Sequence, residues 1–441
     1  MCFSYRLALS FLLFCYTVEI TGCSRTVSRT TERRNLMKQA VMYGGGNIGR
    51  GFIGALFSQS GYQVTFIDVA EAVVSGLVSR KSYPVRYVAA GGNEDVMIEN
   101  VTAVNGNDTE AASERIARCD IMATAVGARI LPYIVPNIVA GIRLRIAENG
   151  APLNIIICEN LNDANIILEG MLKEQLTPEE ISWFDENIGL VEASIGRMVP
   201  VQTEEMKDGD PLRVCVERYG FLPVDKDAFK GDIPQIRNMV PSSPFDFYVK
   251  RKLYVHNMGH ATCAYLGGLQ DLHLIWEAID VPEIRIIAQN AMLESAQALS
   301  AHYGTDLSAI QDHILDLLHR FSNAALGDTC ARVGGDPARK LSPADRMIGS
   351  SALALAEGIC PSHITVGAAA GVWRYISEAE GWEQSLETAA KVLQDVSGLD
   401  AKSRLTAMIL DRYRLILEGK SLSEIRRYAD EQKALYMTDI I

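Results

Sequence analysis

No two cysteines in this 441-residue chain stand in a C-x-x-C arrangement, and the nine that occur are scattered. That spacing excludes a zinc knuckle and a secreted disulfide framework, so they read as isolated cytosolic thiols. Aromatic residues are few, at 7%, and 42 basic side chains are outnumbered by 54 acidic ones. The resulting charge of −12 repels nucleic acid and anionic membrane surfaces, and neither is expected as a partner. There is no internal repeat and no low-complexity tract. What is present is an ordinary globular composition, 48% hydrophobic and 22% charged, long enough for about two to three domains and a large core without metal or disulfide staples.

The N-terminus departs from that picture. Leu7 to Tyr16 is apolar, and Ile20-Thr21-Gly22-Cys23 resembles a lipoprotein cleavage site. Only Arg6 precedes the run, however, which is too short to span a bilayer, and Arg25, Arg29, Arg33 and Arg34 follow it. Residues 1–36 are therefore expected to be an upstream extension or start-site artefact outside the fold, and the protein to be cytoplasmic. The extension holds five Arg and two Glu, a net of +3, so residues 37–441 carry −15. An anionic ligand would need a local basic pocket.

From Gln39 to Tyr43 an apolar run ends in Gly44-Gly45-Gly46-Asn47-Ile48-Gly49; a helical stretch follows, then the β-branched run Gln63 to Ile67, closed by Asp68. Strand, glycine turn, helix, strand is a βαβ unit. Further apolar runs at Asp120–Gly127 and Leu153–Cys158 alternate with helical patterns, which implies a doubly wound, parallel Rossmann-type sheet. After about Pro241 long helical periods take over, with Leu405, Met408, Ile409, Tyr413 and Ile416 on one stripe. The expected organisation is a nucleotide-binding domain over 37–240 and a mainly α-helical substrate and catalytic domain over 241–441. The proline-rich segment Val199 to Pro244 would form the crossing.

Gly44, Gly46 and Gly49 form a G-x-G-x-x-G turn in the context that motif requires. Gly44 permits the turn, Gly46 lets backbone approach a pyrophosphate, and Gly49 lets helix pack on sheet, while the N–H groups of Asn47 and Ile48 open the helix toward the phosphates. Asp68, nineteen residues after Gly49, can accept from a ribose 2′-hydroxyl but repels a 2′-phosphate, which favours NAD over NADP. Ala125, Val126 and Gly127 end a later strand on the same sheet edge, as a wall for the nicotinamide side or as a plain strand-to-helix turn.

Lys252, Asn257 and His260 fall on one face of a regular helix. Oxidising an alcohol by hydride loss needs a base for the hydroxyl proton and donors for the developing alkoxide; Lys252 suits the first role and Asn257 the second. His256 and His260 have the one-turn spacing of a metal pair, but no carboxylate lies within the motif, so no metal is expected and His256 reads as structural.

With these motifs, and with Arg332-Val333-Gly334-Gly335-Asp336-Pro337-Ala338-Arg339-Lys340-Leu341-Ser342 followed by Asp345-Arg346, the chain resembles the metal-independent long-chain polyol dehydrogenases from Met37 nearly to its C-terminus. The resemblance implies NAD-dependent interconversion of D-mannitol 1-phosphate and D-fructose 6-phosphate by a monomer or small homo-oligomer. Lys252 would be the general acid/base, Asn160 and Asn257 would polarise the reacting oxygen, and His260 would orient substrate or lysine. Without the resemblance Asn160 reads equally as a strand-end turn former. The family usually carries Asp where Gly196 precedes Arg197, which would alter contacts to the polyol hydroxyls. Arg339 and Lys340, with Arg332 and Arg346 next, are the expected substrate-phosphate ligands, set against a solvated charge run at a helix start. Ser342 and Asp345 should cap that helix. Rival readings are a dehydrogenase of the same family acting on unphosphorylated polyols or hexuronates, and a regulatory protein that binds NADH without turnover.

Overall fold

The computed structural model describes residues 37–161 and 163–438; the expected extension, 1–36, lies outside the described residues. In chain order the strands are β1 (Lys38–Tyr43), β2 (Tyr62–Asp68), β3 (Ser82–Tyr87), β4 (Glu94–Glu99), β5 (Val101–Asn105), β6 (Ile121–Thr124), β7 (Leu153–Ile157), β8 (Ile188–Glu192), β9 (Val214–Val216), β10 (Leu222–Asp225) and β11 (Met239–Ser242).

Six of them build one parallel sheet in the order β5-β2-β1-β6-β7-β8. The chain starts in the middle, winds outward, and returns to build the other half, so the ends of β1 and β6 flank a crevice at the point of reversal. Both faces are covered, which explains the near-continuous apolar runs. Val41, Tyr43 and Ile67 pack into a cluster on one face, while Ala40, Met42, Val64 and Phe66 pack on the other. This is the doubly wound sheet implied by the sequence.

The segment Val199 to Pro244 is more than a crossing. Between its prolines, Val214–Val216 pairs in parallel with β3, itself in an antiparallel hairpin with β4, and β10 pairs with β11. The prolines masked these short apolar runs, since proline is confined to edges and strand ends.

From Asp246 onward the chain is helical. Its core centres on the helices Pro282–Tyr303 and Ile364–Glu378, with Ile284, Ile287, Ala291, Val366 and Ala370 all buried. The stripe Leu405, Ile409, Tyr413 and Ile416 is buried along the helix Arg404–Leu417. The expected helix start at Ser342 is corrected: Ser342–Asp345 is a turn, and the helix begins at Ile348 with no side-chain cap. Asp345 is drawn away by Arg346 Nε at 2.8 Å and Arg339 Nη1 at 3.2 Å. The cap-and-proline signature is used one step earlier, where Asp336 accepts from the Arg339 N–H at 3.4 Å and Pro337 opens a short helix.

A buried ion pair joins the two halves. Arg320, on the helix Leu307–Phe321, donates to both Glu217 carboxylate oxygens at 2.5 and 2.9 Å, and to the Gly196 carbonyl at 2.5 Å. Its guanidinium also lies 4.0 Å from the Tyr219 ring centre. Among the described residues no helix is long and apolar enough to cross a membrane.

Candidate active site

The glycine turn leaves β1 with Gly44 at φ +98°, and a Cβ there would overlap the Ala125 carbonyl. A Cβ on Gly49 would overlap the Gly44 carbonyl, so the helix sits as close to the turn as its backbone allows. Above Gly46, by contrast, a Cβ would meet nothing within 4 Å. That open backbone, with the helix N–H groups beside it, is the cradle a pyrophosphate needs. Asp68 closes β2 and accepts from the Gly45 N–H at 2.6 Å and the Ala70 N–H at 2.8 Å, so the carboxylate expected to read the ribose also braces the turn. Ala125, Val126 and Gly127 follow β6, with Ala125 against Gly44.

The helix carrying Lys252, Asn257 and His260 is not regular. Lys252–Asn257 forms a π-turn between the helices Asp246–Arg251 and Met258–Leu269. Such wide turns shift the register of side chains and are frequent at functional sites. Lys252 and Asn257 line one cavity of about 960 Å3 together with Asn160 from the end of β7. Lys252 Nζ lies 3.4 Å from Asn160 Oδ1. Burial, reinforced by the nearby Arg346 guanidinium, lowers the Lys252 pKa to about 8. Desolvation disfavours the ammonium, and a neighbouring cation adds to it.

His260 is not brought into that cavity. Past the wide turn it stacks on Phe321, ring centres 4.7 Å apart, and lines a small separate pocket with Asp328 and Arg320. Burial, with Arg332 and Arg320 nearby, pushes its pKa down to about 3. The assumption of constant helical periodicity failed at that turn. His256 is buried and held well below its usual pKa, first by burial and then by Arg320. Among the described residues no group of three or more His, Cys, Asp or Glu is arranged to hold a metal ion.

The four basic residues grouped by the sequence are divided. Arg339 and Arg346 line the Lys252 cavity, with Asp345 between them. Lys340, with 5% exposure, lies outside that lining, and burial followed by Arg346 and Arg339 lowers its pKa to about 8. Arg332 pairs with Asp328 and lines a different cavity, of about 550 Å3, beside Asn47 of the glycine turn. The proximity of the four in sequence had hidden that split. Gly196 lies against Tyr219, and its carbonyl is held by Arg320, so the missing carboxylate falls at the seam between the halves and not on the lining of the Lys252 cavity.

Three further residues had escaped notice. Glu159, buried at the end of β7, accepts from the N–H groups of Val126 at 3.0 Å and Gly127 at 2.7 Å. An acidic residue directly after a buried strand was the available signal. Arg50 is buried beneath the glycine turn and donates to the Gly45 carbonyl at 2.6 Å; a charged residue inside that apolar helix start could have marked it. Lys250 lines the Lys252 cavity two residues before the motif, and acidic residues that include Glu192 and Asp225 line it too. Burial raises the Glu192 pKa, with Asp163 and Asp225 adding to it.

Known proteins are similar to this chain in sequence or in fold. The chain is 36% identical to a mannitol-1-phosphate 5-dehydrogenase of Bacillus subtilis, over 85% of this chain and 99% of that protein. It is 35% identical to one of Brevibacillus brevis, over 80% and 93% respectively. A solved Pseudomonas fluorescens mannitol 2-dehydrogenase shares the fold with a TM-score of 0.68 at 14% identity, over 90% of this chain and 95% of that one. A solved D-sorbitol dehydrogenase gives 0.71 at 16%, over 88% and 94%. Residues 38–238 match the mannitol dehydrogenase Rossmann domain and residues 245–415 the mannitol dehydrogenase C-terminal domain, so the chain belongs to the mannitol dehydrogenase family.

Proposed function

We propose that the protein interconverts D-mannitol 1-phosphate and D-fructose 6-phosphate with NAD as the redox partner. The observation that carries this reading is the identity of 35–36%, along nearly their whole length, to two bacterial proteins named for that substrate. The Gly44–Gly49 turn, with the Asn47 and Ile48 N–H groups, would hold the cofactor pyrophosphate, Asp68 its adenosine ribose, and Ala125–Gly127 its nicotinamide side. When bound, NAD supplies the hydride acceptor.

The chain itself manages the proton and the oxygen. Neutral Lys252 takes the proton of the substrate hydroxyl, and the ammonium returns it in the reverse direction. Asn160 presents its carbonyl oxygen to Lys252, which leaves its amide N–H groups and those of Asn257 for the oxygen that gains charge. Arg339 and Arg346 receive the phosphate, while the acidic wall at Glu192 and Asp225 accepts from polyol hydroxyls. Arg332, beside Asn47, serves the cofactor pyrophosphate instead of the sugar phosphate. We assign the reaction to the cytoplasm, and catalysis needs no metal, so activity survives exhaustive chelation.

Oxidation of NADH that depends on fructose 6-phosphate tests the reading directly. Turnover of unphosphorylated ketoses or hexuronates at equal or greater kcat/KM would overturn it.

A further inference from the structure

A hollow of about 260 Å3 lies on the side of the helix Gly54–Gln59, outside both cavities assigned above. Phe52, Ala55 and Leu56 contribute apolar surface to it, and three guanidinium groups, of Arg197, Arg218 and Arg237, line it. The one carboxylate on its wall, Glu94, pairs with Arg218.

The other two cations lack such a partner. Arg197 is only 8% exposed, and its N–H groups go to main-chain carbonyls: Gly51 at 2.6 Å, Tyr219, and Arg218 at 3.5 Å. Its guanidinium lies 4.4 Å from the Phe52 ring centre and 5.7 Å from that of Tyr87, whose neutral hydroxyl is its one side-chain hydrogen-bond partner among the described residues. Carbonyls satisfy donors without cancelling charge, and Glu217, the nearest acid acting on it, is already committed to Arg320. Arg237 bonds only through its main-chain N–H, to Ser60 Oγ at 2.9 Å; its side chain has no hydrogen bond or ion pair among the described residues.

The wall therefore carries two uncompensated positive charges, within a body of residues 37–441 whose formal charge is −15. Like charges held together around a hollow repel one another unless an anion joins them. We propose that this hollow is a second anion site, which binds a small dianion: inorganic phosphate or the phosphate monoester of a small metabolite. Guanidinium forks match phosphoryl oxygens, and the apolar side accommodates a short carbon chain. The volume is below the usual range for drug-sized ligands, about 300–1,000 Å3, which excludes a dinucleotide.

Calorimetric titration of the full chain tests this with the active site already filled by NAD and fructose 6-phosphate, two oxidised partners that cannot react with each other. Inorganic phosphate and glycerol 3-phosphate are the two probes; tighter binding of the second would assign the site to an organic phosphate, and equal or weaker binding to phosphate itself. The expected result is one additional site per chain, weakened about ten-fold or more by Arg237→Ala, partly restored in Arg237→Lys, and kept in Arg339→Ala. Arg237 is exposed, so its truncation leaves the core intact, and unchanged NADH binding checks this. A flat titration, or one that Arg237→Ala leaves unaltered, overturns the proposal.

Discussion

Lys252 and Asn160 meet across the seam of the molecule: the lysine Nζ, on the π-turn of the helical half, lies 3.4 Å from the Oδ1 at the end of β7. The proposed base and its partner thus come from two halves with separate hydrophobic clusters.

With its pKa lowered to about 8, Lys252 is largely an ammonium at neutral pH and loses its proton just above it. Oxidation of the polyol phosphate, which needs the neutral amine, should rise through pH of about 8, and reduction of the ketose, which needs the ammonium, should fall through the same range. Lys252→Ala should lower turnover in both directions by about 10²-fold or more while NADH still binds. Steady-state pH profiles and a fluorescence titration of NADH check both; a variant with near-normal turnover would remove Lys252 from the mechanism.

Arg339 and Arg332 face different cavities, so their truncations should separate. Arg339→Ala should raise KM for fructose 6-phosphate about ten- to a hundred-fold and spare NADH, the cost of one charge-assisted contact. Arg332→Ala should do the reverse, weakening NADH more than adenosine, which lacks the pyrophosphate. Equal losses for both ligands in either variant would mean that the residue supports the fold alone.

Asp68 both braces the Gly45 N–H and stands where the ribose is read. Asp68→Ser combined with Val69→Arg, at a residue 63% exposed, should shift preference toward NADPH, with some loss of NADH affinity from the loosened turn. Wild-type protein that already uses NADPH as well as NADH would contradict the role given to the carboxylate.

The Glu217–Arg320 pair is almost wholly buried, with side-chain exposures of 5% and 6%. Removing one partner strands the other charge, so Arg320→Ala should destabilise the fold by about 3–5 kcal/mol. Urea denaturation measures this, and a loss below about 1 kcal/mol would show that solvent reaches the site.

The sheet was legible because β1 and β2 are buried on both faces, which leaves an unbroken apolar signature on either side of the glycine turn. Asn160 and Lys252 could be named from sequence, but their meeting could not, because it depends on how the helical half packs against the sheet. His260 was placed on the Lys252 face by the spacing of a regular helix, and the π-turn between them is a local departure that no periodicity reveals. Arg332 and Lys340 stand next to Arg339 and Arg346 in sequence but off the lining of the Lys252 cavity, because neighbours along a chain of short turns need not share a surface. Glu159 and Arg50 could be marked from sequence only as charges beside apolar runs; their partners are main-chain groups, which leave no trace in side-chain patterns.

Glu159 and Asn160 are consecutive, yet the first grips the turn after β6 and the second touches Lys252. One peptide bond therefore links two neighbouring sites, so a backbone shift at either is passed to the other. An engineered change of redox partner that moves the Val126–Gly127 backbone will rotate Glu159, and Asn160 with it. Attempts to retune cofactor choice from that side should surface first as damaged proton transfer, whereas changes at Asp68 act on the Gly45 N–H and not on a hydrogen bond of this dipeptide.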